Sequence, residues 1–147
     1  MKVIIQRVLE ATIDINSEIT RSIGKGFVVL VGITHDDTTK DADFLAEKCC
    51  GLRIFEDEEG KMNVSLKDAG GELMIVSNFT LYGNCRKGKR PNFTEAAGPD
   101  KAIPLYEYFI EKCKSYGVSV VTGEFGADMK IALVNDGPVT IEIESPK

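Results

Sequence analysis

The amino-acid sequence predicts a mixed α/β domain with at least one largely antiparallel sheet and two helices. Three observations carry this expectation. Apolar residues alternate along the first 23 positions, continuous apolar runs stand at FVVLVGI (27–33) and within ELMIVSNFTL (72–81), and two further segments show helical spacing. A length of 147 residues fits one domain, 1–147, with its own hydrophobic core.

In chain order, Val3, Ile5, Val8, Ile13 and Ile15 suit one long, bent strand. Asn16-Ser17-Glu18 supplies a turn, so that Ile19 to Ile23 returns as the hairpin partner. Gly24-Lys25-Gly26 is a lone GxG, lacking the third glycine and the following helix of a dinucleotide fingerprint, and reads as a turn. The FVVLVGI run suits a strand buried on both faces. Polar residues 34–40 lead to a helix over 41–52, with one of Cys49 and Cys50 expected in the core and the other near the surface. Short strands are expected at 53–55 and 62–66, about a DEEG turn (57–60).

Ala69-Gly70-Gly71 then turns the chain into ELMIVSNFTL, and residues 82–98 read as a surface loop. A second helix is expected over 102–116, with Leu105, Tyr108, Phe109, Lys112 and Cys113 inward and Pro104 in its first turn. Gly117 is placed to end it. VSVVTGEF (118–125), MKIALV (129–134) and VTIEIE (139–144) are expected strands, the last two joined by NDGP.

Composition removes several function classes. Apolar residues make up 43% and charged residues 28%, the balance of an ordinary globular protein. No apolar run approaches the ~20 residues that span a bilayer, so no membrane partner is expected. MKVIIQRVLE does not read as a signal peptide, and four cysteines without a CxxC pattern read as reduced thiols of a cytoplasmic protein. The net charge of −5 argues against coating nucleic acid by bulk electrostatics, yet Arg86, Lys87, Lys89 and Arg90 form a local basic run. Such a run is either a solvated loop or a phosphate contact beside a site.

The residues needed for several familiar mechanisms are missing. The one histidine, His35, sits in a polar loop with nothing to place it beside a nucleophile. No zinc spacing or P-loop is present, so neither metal nor cofactor is expected. Asp36-Asp37 and Glu56 to Glu59 read as solvated turns. The chemistry must then come from positioned backbone groups, hydroxyls and the substrate itself. Two segments fit. SNFTL (77–81) closes a buried strand and offers the hydroxyls of Ser77 and Thr80 with the N–H groups near Phe79 and Thr80. NDGPVT (135–140) puts Gly-Pro between strand-like runs, where proline demands an edge, a bulge or a special turn.

Together with RPNF (90–93), IQRV (5–8), RIFEDEEGKMN (53–63) and FGADMKIALVNDGPVT (125–140), these segments resemble the D-aminoacyl-tRNA deacylase family over the whole chain. The family motifs are SQFTL and NxGPVT. The second is matched fully, while Asn78 replaces the usual Gln in the first. The resemblance implies stacked, largely antiparallel sheets with two helices and a homodimer in which each subunit's Gly-cis-Pro enters the other's site. It implies hydrolysis of the ester of D-aminoacyl-tRNA, and of glycyl-tRNA mischarged on alanine tRNA, as a proofreading step in translation. Gly137 and Pro138 would present main-chain carbonyls that exclude an L side chain. The N–H groups of Phe79 and Thr80 would form an oxyanion hole, and the terminal ribose 2′-OH would help to activate water. Ser77, Asn78, Ala102 and Met129 would line the pocket, with Arg7 bracing the Gly-Pro loop. A deacylase of relaxed chirality and a non-catalytic RNA-end-binding module remain the alternatives.

Overall fold

The computed structural model describes residues 1–147. Its first strand organises the rest. β1 (Lys2–Ile15) turns through Asn16 and Ser17, both with left-handed backbone (φ 52° and 56°), into β2 (Ile19–Ile23). The C-terminal half of β1 pairs antiparallel with β2, and its N-terminal half pairs antiparallel with β3 (Gly26–Gly32). The other edge of β1 is followed along its length by β8 (Met129–Glu144), from Lys2↔Glu144 to Ile15↔Met129. Register shifts between Gln6 and Ala11 mark β-bulges, which sharpen the local twist and let one strand serve two sets of partners.

From β3 the chain passes through α1 (Thr39–Gly51) and the small antiparallel ribbon β4 (Phe55–Glu56)–β5 (Met62–Val64) to β6 (Glu72–Ser77). β6 lies parallel to β3, and after α2 (Pro99–Ser115) β7 (Ser119–Thr122) lies parallel to β6. Parallel neighbours require such long crossovers. The fold is therefore mixed α/β with two helices, antiparallel around β1 and parallel from β3 to β7, as its class was expected to be.

The continuous apolar runs are explained by a core on each sheet face. Phe27, Val29 and Val31 of β3, with Leu73 and Ile75 of β6, join the larger core beneath α1 and α2. The alternate residues Val28, Met74 and Val76 enter a second core with Val8, Ala11, Ile13, Ile15 and Ile23. Period-two alternation thus places apolar side chains on both sides. The α2 hydroxyl of Tyr106 donates to the Ile75 carbonyl at 2.9 Å, fixing the helix over β6.

Several expectations need correction. α1 starts at Thr39, because Thr38 and Asp41 form a reciprocal capping box. Both Cys49 and Cys50 are buried, where one of the pair was expected near the surface, because Cys50 packs against α2 with its Sγ 3.9 Å from the Cys113 carbonyl. α2 begins at Pro99, so Pro104 lies beyond its first turn. Its inner face is Ala102, Leu105, Tyr106, Phe109, Ile110 and Cys113, not Tyr108 or Lys112. MKIALV and VTIEIE are one strand in which NDGP forms a bulge, since both halves follow β1 in the same direction. Asp37 is not a solvated turn residue: it is buried, with the Met1 amino group at 2.5 Å and Lys147 Nζ at 2.6 Å.

Candidate functional site

β6 delivers the SNFTL segment to the surface. The strand ends at Ser77, the Asn78 N–H still donates to the Val31 carbonyl at 2.8 Å, and the chain then winds into a 3₁₀ turn, Phe79–Tyr82. The first N–H groups of a helical turn have no acceptor within it. Asn78 does not cap this one with its side chain. Its Oδ1 accepts instead from the Thr80 hydroxyl at 2.5 Å. The main-chain N–H groups of Phe79 and Thr80 are thus available to a ligand, and the Phe79 ring stands 54% exposed.

A cleft of about 380 Å³ opens beside this turn. Ser77, Asn78 and Phe79 form one wall, and the loop from Phe125 to Met129 forms the other. Met129 Sδ lies only 2.5 Å from where a Cβ on residue 123 would be, so Gly123 makes room for the thioether. Asp128 is the one ionisable side chain in the lining, and it is occupied by Lys130 at 2.7 Å, a bond that raises the lysine pKa. His35 lies outside the cleft lining, its exposed ring nitrogen meeting the Thr94 carbonyl at 2.7 Å. No three His, Cys, Asp or Glu side chains converge. The cleft offers polar groups and apolar walls, with no histidine and with its one carboxylate held by Lys130.

The NDGPVT segment is built as a rigid projection on β8. Asn135 bridges the bulge, its Oδ1 accepting from the Val139 N–H at 3.0 Å and its Nδ2 donating to the Thr140 hydroxyl at 2.9 Å. The Gly137–Pro138 bond is cis, and Gly137 has φ 130°, backbone that favours glycine. Val139 is buried while Gly137 and Pro138 are exposed. Beneath them Arg7, only 4% exposed, donates from Nε to the Asp136 carbonyl at 3.1 Å and from a terminal nitrogen to the Ile54 carbonyl at 2.6 Å.

The structure therefore brings Ser77, Asn78, Phe79 and Met129 to one cleft. Thr80 adjoins it through Asn78. Arg7, Gly137 and Pro138 form a separate group within the chain, and Ala102 is buried on the inner face of α2, outside the cleft lining. Sequence reasoning missed the wall formed by Phe125 and Asp128. It also missed the edge-on packing of Phe93 against Phe79, with ring centroids 5.2 Å apart. The only signal for either was its place in the FGADMKIALV and RPNF segments.

Comparison with known proteins agrees with these motifs. A family profile described as D-Tyr-tRNA(Tyr) deacylase matches residues 4–144. A D-aminoacyl-tRNA deacylase of Thermus aquaticus is 57% identical over 145 residues, covering 99% of this chain and 95% of the relative. One from Geobacillus sp. (strain WCH70) is 56% identical with the same coverage. Among solved structures, a protein described as c-Myc DNA Unwinding Element Binding Protein superposes with TM-score 0.91 at 39% identity, over 100% of both chains. A probable eukaryotic D-amino acid tRNA deacylase shares the fold, with TM-score 0.83 at 18% identity over 97% of this chain and 98% of its own.

Proposed function

The chain belongs to the D-aminoacyl-tRNA deacylase family, hydrolases that act on the aminoacyl-tRNA ester, and from this we propose how its two motifs divide the work. The observation that carries the reading is the cleft beside the Phe79–Tyr82 turn, whose first main-chain N–H groups have no side-chain cap and whose one lining carboxylate, Asp128, is paired with Lys130. The ester carbonyl of D-aminoacyl-tRNA lies against those N–H groups, which stabilise the developing oxyanion without reorganisation. Ser77, Asn78 and Met129 hold the terminal adenosine and aminoacyl group. The ribose 2′-OH of the substrate assists the attacking water, which suits a site that lacks a general base. A covalent role for Thr80 is disfavoured, since its hydroxyl donates to an amide oxygen rather than to a base.

Chirality is assigned to Gly137 and Pro138. In our reading the chain is a homodimer, and each exposed Gly-Pro projection enters the partner's cleft with its carbonyls facing the substrate Cα. An L side chain collides there and a D side chain points away, so selectivity comes from rejecting the abundant substrate. Glycine has no side chain to reject, so glycyl-tRNA mischarged on alanine tRNA is also hydrolysed. Leu9 and Val134, 55% and 45% exposed beside the β1–β8 bulge, give the dimer an apolar contact. No helix is long and apolar enough to cross a membrane. We assign the work to the cytoplasm, where charged tRNA is used.

The test is release of tyrosine from D-Tyr-tRNA and L-Tyr-tRNA by the purified protein. Release from the D ester alone is expected. No release, or equal release from both, overturns the reading.

A further inference from the structure

We propose that the loop from Asn84 to Glu95 is a phosphate-binding subsite for the single-stranded 3′ end of tRNA, holding the nucleotides that precede the terminal adenosine. The proposal rests on the deacylase reading above and extends it beyond the cleft.

The loop has a defined shape. Asn84 and Asn92 exchange main-chain hydrogen bonds at 2.7 and 2.8 Å, pinching its two limbs together. Each asparagine also folds its own limb, Asn84 Oδ1 accepting from the Arg86 N–H at 3.0 Å and Asn92 Oδ1 from the Thr94 N–H at 2.8 Å. The Thr94 carbonyl meets His35, and the Glu95 carbonyl accepts from the Thr34 hydroxyl, so the base of the loop is tied to the end of β3. Between the limbs is a hollow of about 420 Å³ with no apolar residue in its lining.

Its charge has no partner within the chain. Arg86, Lys87 and Arg90 line the hollow and Lys89 stands at the loop tip, and every ion pair of the protein lies elsewhere. Glu95 lies at one side of the hollow and is likewise unpaired. A cluster of unneutralised cations on a chain with net charge −5 is a local attraction for phosphate. Guanidinium groups suit it by donating in pairs to phosphate oxygens.

The hollow is joined to the cleft by an aromatic bridge. Phe79 belongs to the cleft lining, Phe93 follows Asn92 of the hollow, and the two rings pack edge to face. Phe93 is 38% exposed, giving a base a face on which to stack. Cations that follow a backbone, interleaved with exposed rings, are the means by which proteins bind single strands without reading sequence. This suits an enzyme that must accept many tRNAs through the cytidine-cytidine-adenosine end that they share.

The test compares wild type, Arg86→Glu/Arg90→Glu and Phe93→Ala on D-tyrosyl-adenosine, D-tyrosyl-CpCpA and D-Tyr-tRNA. The charge variant is expected to lose kcat/KM on the order of tenfold or more on the trinucleotide and on tRNA, and to keep it on the nucleoside. The slope of log kcat/KM against log salt should fall by about 0.7 for each phosphate contact removed. Phe93→Ala should show the same substrate pattern without the change in slope. Loss on tRNA alone would move the contact to the acceptor stem and overturn the proposal. Equal loss on all three substrates, or no loss, would also overturn it. A wild type inactive on all three refutes the deacylase reading itself, a separate outcome.

Discussion

The Nε–H of Arg7 donates to the main-chain carbonyl of Asp136, 129 residues away in sequence, at 3.1 Å. One buried guanidinium thus joins the first strand to the Gly-Pro projection, while its second bond to Ile54 anchors the chain leading into β4. Arg7→Met keeps much of the volume but leaves two carbonyls without a donor. We expect a loss of about 2–3 kcal/mol, read as a thermal midpoint lowered by several degrees. Arg7→Lys should fall between, since an ammonium cannot span both carbonyls. An unchanged midpoint for Arg7→Met would show that these bonds contribute no net stability.

Gly137 admits no larger residue. A Cβ there would stand 2.8 Å from Val139 Cγ2 and 3.3 Å from Arg7, on backbone with φ 130°. Gly137→Ala should therefore shift the projection and lower kcat/KM for D-Tyr-tRNA on the order of a hundredfold, with the fold retained by circular dichroism. Steady-state kinetics close to wild type would contradict this.

Thr80→Ala tests the division between main chain and side chain. The variant loses the hydroxyl bonded to Asn78 but keeps the backbone N–H. A loss of less than about tenfold is expected, consistent with one hydrogen bond at an exposed position. Complete loss of turnover would assign the hydroxyl a direct chemical role.

Acid should loosen the junction of the chain ends. Burial opposes the charge of Asp41, but the Ser145 hydroxyl, the Thr38 N–H and Lys147 outweigh it and bring its pKa from 3.8 to about 2. Because the folded value lies below the unfolded one, the stabilisation is present above about pH 4 and is lost as pH falls towards 2. Urea unfolding across that window should show a falling midpoint in wild type and a shallower fall in Asp41→Asn. Equal slopes would remove Asp41 from the account.

The apolar pair beside the bulge should decide association. Val134→Asp introduces charge on the face assigned to the dimer, so the variant should sediment as a monomer and lose turnover while its far-ultraviolet spectrum is unchanged. A monomeric wild type at micromolar concentration would refute the shared site.

Much of the fold was legible where local pattern suffices. The alternation of β1, the Asn16-Ser17 turn, the doubly buried β3 and the end of α2 at Gly117 all follow from spacing and turn chemistry. The start of α1 was legible too, in Thr38 and Asp41, but the apolar spacing pulled the expected boundary inward. On α2, Pro104 misled in the same way, although Ala102, Tyr106 and Ile110 stand four residues apart. Other features depend on partners distant in sequence. Nothing near Asp37 announces Lys147, and nothing in NDGP shows that β1 carries both halves of β8 as one strand. At the candidate cleft, SNFTL is singled out by its place at a strand end. Met129 and Ala102 come only with the family resemblance, and Ala102 lies outside the lining, whereas the Phe79–Phe93 packing needed the loop to fold back on β6.

The union of β1 with β8 also sets an order of assembly. Lys2 meets Glu144 and Ile15 meets Met129, so this ladder closes over segments more than a hundred residues apart, the slowest kind of contact to form. The β3–β6–β7 layer and its helices join nearer segments and should form first. At that stage Ser77 and Phe79 are present, but Met129, Gly137 and the Arg7 brace are not. In the reading proposed above, a chain in which this ladder has not closed is expected to lack both the Met129 wall of the cleft and the Gly137–Pro138 segment assigned to rejecting L substrates, so that turnover and discrimination depend on the same pairing.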